Sequence, residues 1–486
     1  MLLGLDLGTS SAKALLMDID GTIRGEGAAP YPVLSTRPGW AESDPEDWWD
    51  ACSRAVRIAV GERGGQVTAL GLSGQMHGVV LSDGSGVPLR PAVLWADVRS
   101  ARELAFYRRL DADLLSTLAN PLAAGMAGPS LLWLRQNEPV AYRAARWALS
   151  PKDWLRLRLG GEALSEPSDA SATLLYDLFS DNWSGSIIEA LGLRVGLFPT
   201  LVPSWASAGA LTREAAYALD LTAGLPIAAG AGDVAAALLG LGSVDPGVVQ
   251  LTVGTGGQIV GPREDPTLNS SLRTHLYRTA HNRPSGRYYS MAAVQNVGLA
   301  LEWVLETLGV SSWEEAYREA FSVPIGAEGV AFLPYLSGER TPHLDPSVRG
   351  GWVGLGLGHR RAHLLRAALE GVAYSLRTAL EALLETGIKV PELKLVGGGT
   401  LETSWQQLLA DVLGRPLRLL SPSVASIASA RGAALLAGLA SGVYTSVDET
   451  LILAPEVQRT VLPQDAARYE AAYARYRELY PRLSGF

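Results

Sequence analysis

Residues 2–16, LLGLDLGTSSAKALL, decide the fold, because the same pattern returns as VVQLTVGTGGQIV at residues 248–260. Each copy sets an apolar run of strand length, then Gly-Thr and small residues, then a second apolar run. That is a β-hairpin with a longer loop. A repeat separated by about half the chain predicts two related domains facing each other. A chain of 486 residues has room for two or three domains of about 150 residues each, and 48% apolar residues supply large cores. The 53 glycines sit in short clusters beside apolar runs. This suits an α/β protein with tight strand-to-loop turns.

Working outward, the turn Asp20-Gly21 predicts a third strand after the first hairpin. Asp44-Pro45-Glu46-Asp47 reads as a helix start, with Asp as N-cap and Pro at the first helical position, running to about Val60. SVDPG at residues 243–247 marks a boundary. The expected division is residues 1–244, carrying the acceptor pocket and a first phosphate loop; 245–440, binding the nucleotide; and 441–486, a helical segment packing back on the first domain. Residues 361–385 read as a long amphipathic helix, and KLVGGGT at 394–400 as a strand ending in glycines. Tyr469, Tyr473, Tyr476 and Tyr480 form one helical stripe, read as the face that packs on the first domain.

Composition excludes several classes. A net charge of -8 opposes DNA or RNA as the main partner. One cysteine, Cys52, allows no internal disulfide and no cysteine metal site. A reducing, cytoplasmic location is expected, with no signal peptide and no membrane span.

Four clusters match what phosphoryl transfer requires: backbone donors for phosphate oxygens, a metal, a carboxylate near the acceptor hydroxyl, and exclusion of water. Asp6-Leu7-Gly8-Thr9-Ser10 can wrap phosphate oxygens, with Lys13 adding positive charge and Asp6 placed to hold hydrated Mg²⁺. Taken alone, this is equally an ordinary hairpin with a turn aspartate. Gly254-Thr255-Gly256-Gly257 offers a matching second loop, and two such loops favour a nucleotide. Gly397-Gly398-Gly399-Thr400 can let a flat base approach the backbone, or can be a plain turn. Gly230-Ala231-Gly232-Asp233 opens a helix at Val234, where Asp233 is either an N-cap or the carboxylate that takes the acceptor's proton. Met76, His77, Trp95 and Asp97 are the candidate sugar contacts. A tryptophan can stack on a sugar's carbon face, while His77 and Asp97 can bond hydroxyls. Neither a GxGxxG nor a GxxxxGK[ST] motif is present.

These residues, with WAESDPEDWW (40–49), SGQMHG (73–78), PKDWLRLRLGGE (151–162), FLPYLSGERTPHLDP (332–346) and LEGVAYSL (369–376), resemble the FGGY family of carbohydrate kinases, and more narrowly its xylulokinase branch. The resemblance covers essentially the whole chain. It implies an α/β fold of two ribonuclease-H-like domains, of the actin and hexokinase type, closing on a central cleft. It implies ATP and Mg²⁺ as cofactors, and ATP-dependent phosphorylation of a ketopentose, D-xylulose foremost. In that family's terms, Asp233 matches the general base. Asp6 and Asp233 are the carboxylates beside the metal, and Met76-His77 is the sugar-contacting pair. Gly8, Thr9, Ser10, Lys13, Gly254 and Thr255 match the phosphate loops; Gly398, Gly399 and Thr400 match the nucleotide-base region.

The chain departs from the family at several positions. Val234 stands where Asn is common, Ala96 interrupts LWND, Gly256 replaces a common Ser, and Ser130 replaces Lys. Val234 and Ala96 remove two hydroxyl partners, which leaves another ketose or a polyol as alternative acceptors. A sugar or nucleotide sensor and an actin-like filament protein are the alternatives from other classes. Similar kinases are commonly dimeric, so a homodimer is open, though no residue here identifies an interface.

Overall fold

The computed structural model describes residues 1–266, 272–397 and 402–485. It contains two seven-stranded sheets built on one plan. In the first half, β1 (Leu2–Leu7), β2 (Ser11–Met17), β3 (Ile23–Pro30), β4 (Ala69–Gly74), β5 (Ser207–Ala210), β6 (Pro226–Ala228) and β7 (Ala231–Gly232) form a sheet of order β5-β6-β4-β1-β2-β3, with β7 alongside β4. In the second half, β8 (Val248–Val253), β9 (Gly257–Arg263), β10 (His275–Arg278), β11 (Tyr288–Val294), β12 (Glu392–Val396), β13 (Leu417–Leu419) and β14 (Arg459–Val461) run in the order β10-β11-β9-β8-β12-β13-β14. The hairpin β1–β2 pairs in parallel with β4 through β1, and the hairpin β8–β9 pairs in parallel with β12 through β8. The sequence repeat is therefore a repeat of sheet topology.

The helices that matter here are α1 (Pro45–Val60), α2 (Pro151–Leu159), α3 (Pro167–Ala170), α4 (Asp233–Gly240), α5 (Gly298–Thr307), α6 (Arg361–Leu384), α7 (Thr403–Leu413), α8 (Ala428–Ala440) and α9 (Ala466–Arg477). The side chain of Asp44 accepts from Glu46 N at the start of α1, and Pro45 occupies the first turn, as the sequence predicts. Helix α1 covers one face of the first sheet. Helix α8, made almost wholly of Ala, Gly and Leu, covers the other. Its approach is close: a Cβ on Gly4 would lie 1.9 Å from the Ala430 carbonyl oxygen, and one on Gly71 would lie 1.8 Å from that of Ala433. Only glycine in β1 and β4 permits this packing.

That placement crosses the expected division of the chain. Helix α8 follows the second sheet's strands in sequence, yet it packs on β1, β4 and α4 of the first domain. Residues after it remain there at first, with Tyr444 Oη donating to Ile19 O at 2.8 Å. The tyrosine stripe then goes the other way. Tyr469, Tyr473 and Tyr476 are buried in the core of the second domain, not the first. The reason is polar. Buried phenols need partners, and α6 supplies them, with Arg366 Nη2 donating to Tyr469 Oη at 2.9 Å and Glu381 accepting from Tyr473 Oη at 2.8 Å. Among the described residues, no helix is long and apolar enough to cross a membrane.

Candidate active site

Three parallel strands of the first sheet end together. Asp6 of β1 pairs with Ser73 of β4, and Ser73 pairs with Ala231 of β7, two residues before Asp233. Parallel strands carry their loops at one edge, so the register brings Asp6, the loop after Gly74 and Asp233 to the same edge. Ser73 Oγ donates to Asp6 Oδ1 at 2.8 Å. Asp233 is the first residue of α4, and Gly232 before it is the cap. Asp233 therefore does not serve as the N-cap; its Oδ1 accepts from the adjacent Val234 N at 2.8 Å.

Burial raises the pKa of both carboxyls. Burial pushes Asp233 up to about 8, and the nearby charges of Asp6 and Asp169 add to it. Burial likewise raises Asp6, against the lowering effects of its Ser73 hydrogen bond and of Lys13. A site with two buried carboxyls at one edge is suited to a divalent cation, whose charge relieves both. Among the described residues there is no group of three or more His, Cys, Asp or Glu that could form a protein-only metal cage. The donor set fits Mg²⁺, which takes one or two carboxylates and completes its shell with water and phosphate.

Sequence reading missed what supports Asp233 from behind. Gly232 N donates to Ser168 Oγ at 3.0 Å, and Ser168 Oγ donates to Glu166 Oε1 at 2.8 Å. Lys152, fully buried in α2, lies 3.3 Å from Glu166, 3.0 Å from Asp169 and 2.7 Å from Asp153. Burial and its anionic neighbours raise Asp169 to about 7 despite the lysine. The only sequence signal was PKDW, which carries Lys152 and Asp153 but says nothing of the residues they meet.

Met76 and His77 reach the same edge. A Cβ on Gly232 would lie 2.8 Å from Met76 Cγ, so Met76 rests against the residue before Asp233. Tyr289 of β11 donates to Met76 Sδ at 3.6 Å, so the second domain closes on this side chain. His77 has a positive φ of 71°, and its Nδ1 lies 2.7 Å from Ala172 O. A carbonyl only accepts, so Nδ1 carries the proton and Nε2 of the neutral ring is an acceptor. Burial keeps the ring neutral, lowering it to about 4.

Trp95 is half-buried, and its Nε1 donates to Thr9 Oγ1 at 2.9 Å, tying it to the first loop. Asp97 departs from expectation. Both its oxygens are engaged, by Ala41 N at 2.7 Å and by the Arg99 guanidinium at 2.6–2.9 Å, and the side chain is buried. Its carboxylate already has strong charge-assisted partners, so it holds the Trp95 loop in place.

In the first loop, Gly8 N donates to Ser11 O at 3.1 Å, while Gly8 O accepts from Gln75 Nε2 at 3.3 Å and from the Tyr31 hydroxyl. Ser10 is exposed. Lys13 does not stand free: Nζ donates to Ser426 O at 2.9 Å and so bridges the halves. In the second loop Thr255 is exposed, and the carbonyls of Gly254 and Thr255 accept from Gly298 N and Leu299 N at the start of α5. Gly398, Gly399 and Thr400 lie outside the described residues. The glycine before them, Gly397, has φ of 109°, and a Cβ there would lie 2.2 Å from Val253 O.

Comparison with known proteins agrees with this geometry. Residues 1–240 match the N-terminal domain of the FGGY family of carbohydrate kinases, and residues 249–441 match its C-terminal domain. The chain is 36% identical to the xylulose kinase of Escherichia coli, over 99% of this chain and 98% of that one. It is 33% identical to the xylulose kinase of Lactococcus lactis, over 99% and 97%. The solved structure of a xylulose kinase from Rhodospirillum rubrum superposes with a TM-score of 0.89 at 29% identity, covering 100% of this chain and 99% of that one.

Proposed function

Because the chain belongs to the FGGY family of carbohydrate kinases, we propose that it transfers the γ-phosphoryl group of ATP to the terminal hydroxyl of a ketopentose, D-xylulose foremost, with Asp233 as the general base. The observation that carries this reading is the convergence of Asp6 and Asp233 at one sheet edge, with Met76 packed against Gly232. Full-length similarity to xylulose kinases supports the acceptor class. In the bound state Mg²⁺ would sit against Asp6 and Asp233 and neutralise phosphate charge.

This chain's own residues do the rest. Asp233 takes the proton of the attacking hydroxyl at a carboxylate oxygen, the other being held toward Val234 N. The backbone turns at Gly8 and Gly254 receive the phosphate oxygens. Closure of the second domain over Met76 excludes water, as a transferase must to avoid hydrolysis. A second reading, another ketose or a polyol as acceptor, is favoured by Val234 and Ala96, whose side chains offer no hydrogen bond.

The test is Asp233→Asn, which keeps the shape and removes the base. We expect turnover to fall by about 10²–10⁴-fold, with ATP affinity unchanged by calorimetry. Turnover near that of the wild type would remove Asp233 from this role.

A further inference from the structure

Strand β10, the outer strand of the second sheet, presents two side chains that the reaction above does not use. His275 and Tyr277 are two residues apart on one face of the strand. Their rings stack with centroids 5.5 Å apart and planes 14° apart. Both are buried, with 4% and 0% of their surface exposed. Tyr277 Oη and His275 Nδ1 have no hydrogen-bond partner among the described residues. A buried polar group left unpaired is costly, and two side by side can be satisfied by a ligand.

Their surroundings identify the place. The Tyr277 ring lies 5.8 Å from that of His77, across the junction of the domains. Tyr289, 5.6 Å from Tyr277 between centroids, holds Met76. The backbone of β10 is fixed to the first domain, with Asn120 both accepting from Leu276 N and donating to Leu276 O. Arg340 is near enough for its charge to act on His77, His275 and Tyr277. Its Cζ lies 5.1 Å from the centre of the Trp95 ring. Its backbone N donates to Glu339, yet its guanidinium makes no hydrogen bond or ion pair with any described residue. Five donors on one partly buried group, none of them paired with a described residue, are available to a ligand.

We propose that Arg340, Tyr277 and His275 form the second domain's half of the acceptor site, with Arg340 and Tyr277 donating hydrogen bonds to the ketone oxygen of the sugar. The assignment rests on the ketopentose reading above. It follows from the sugar's chemistry as well as the geometry. A ketopentose whose terminal hydroxyl is free to be phosphorylated is open-chain, because the ring form consumes that same oxygen. Its carbonyl is then exposed and can only accept. A guanidinium can only donate, so the two match. The corresponding polyol's hydroxyl oxygen can also accept from Arg340, but its own proton then needs an acceptor that neither the guanidinium nor a donating Tyr277 supplies. Arg340 and Tyr277 are thus the residues that separate a ketose from its polyol, and closure of the second domain brings that discrimination with it.

The experiment compares kcat/KM for D-xylulose and for xylitol in the wild type, Arg340→Met and Tyr277→Phe, with KM for ATP and the thermal midpoint measured alongside. We expect the ketose-to-polyol ratio to fall tenfold or more in Arg340→Met and by a smaller factor in Tyr277→Phe. The loss should lie in KM for the sugar, with KM for ATP within about twofold. Tyr277→Phe removes one oxygen and serves if Arg340→Met fails to fold. A wild-type preference for D-xylulose that survives both substitutions overturns this assignment alone. A wild type that prefers xylitol overturns the ketopentose reading, and this assignment with it.

Discussion

The two hairpins of the repeat can be compared residue by residue. Asp6 and Thr252 occupy the same position, two residues before the glycine of each loop, and each pairs with a parallel neighbour, Ser73 in one sheet and Val396 in the other. Around Asp6 the first half is acidic: Asp233, Asp169, Glu166 and Asp153 lie behind or beside it, answered by Lys152 and Arg156. At Thr252 the second half carries a hydroxyl in place of the carboxylate, with Gln250 Nε2 donating to Thr252 Oγ1 at 3.1 Å. One backbone plan thus serves two partners. The acidic copy suits a cation and a hydroxyl that must lose its proton. The uncharged copy suits a polyphosphate, which a carboxylate would repel.

The largest effect should come from neutralising the acidic copy. Asp6→Asn keeps the hydrogen bond from Ser73 and removes the charge. Turnover should fall by a factor on the order of 10², and the Mg²⁺ concentration for half-maximal rate should rise. An unchanged metal dependence would make Asp6 a structural residue and break the comparison. The converse substitution, Thr252→Asp, puts the carboxylate into the neutral copy. KM for ATP should rise by about tenfold, equivalent to roughly 1.4 kcal/mol, with sugar KM unaltered. If ATP affinity is unmoved, the second loop is not where the phosphates lie.

A smaller effect sharpens the comparison from the neutral side. His281, just beyond β10, is kept uncharged chiefly by burial, with Arg283 and Arg278 opposing its protonation and Asp245 favouring it, which together lower it to about 4. The unfolded chain takes this proton near pH 6.5 and the folded chain resists it. The stability it contributes is therefore full above pH 6.5 and lost as pH falls towards 4. Between pH 6.5 and 5, the wild type should lose more stability than His281→Asn, with a slope that rises towards about 1.4 kcal/mol per pH unit, in parallel denaturant titrations. Parallel losses would mean that His281 is not held neutral.

Much of this was legible in sequence, and the reasons differ by element. The first hairpin and α1 were readable because their signals are local: Gly-Thr between apolar runs, and Asp44-Pro45 at a helix start. The halves' common plan was readable because both hairpins keep the glycines. The meeting of Asp6 and Asp233 at one edge was readable because strand ends in an α/β sheet are where loops must be. What failed was tertiary. The tyrosine stripe has the same spacing whichever domain it meets, and only Arg366 and Glu381 on α6 determine which. Helix α8 follows the second domain's strands in sequence, yet Gly4 and Gly71 let it lie against the first sheet. Asp97 looked like a sugar contact because nothing in LWAD shows that Arg99 and Ala41 engage both its oxygens. The Lys152 cluster joins residues from separate segments, so no window of sequence contains it.

The most direct measurement is ADP release with Mg·ATP, across a panel of ketopentoses, ketohexoses, polyols and glycerol and without any acceptor. The account predicts strong turnover with a ketopentose, D-xylulose foremost, and only a small fraction of that rate without sugar, because the second domain packed on Met76 keeps water from the acidic edge. ADP release equal with and without every acceptor would contradict it, since the acidic edge would then be serving water rather than a sugar hydroxyl.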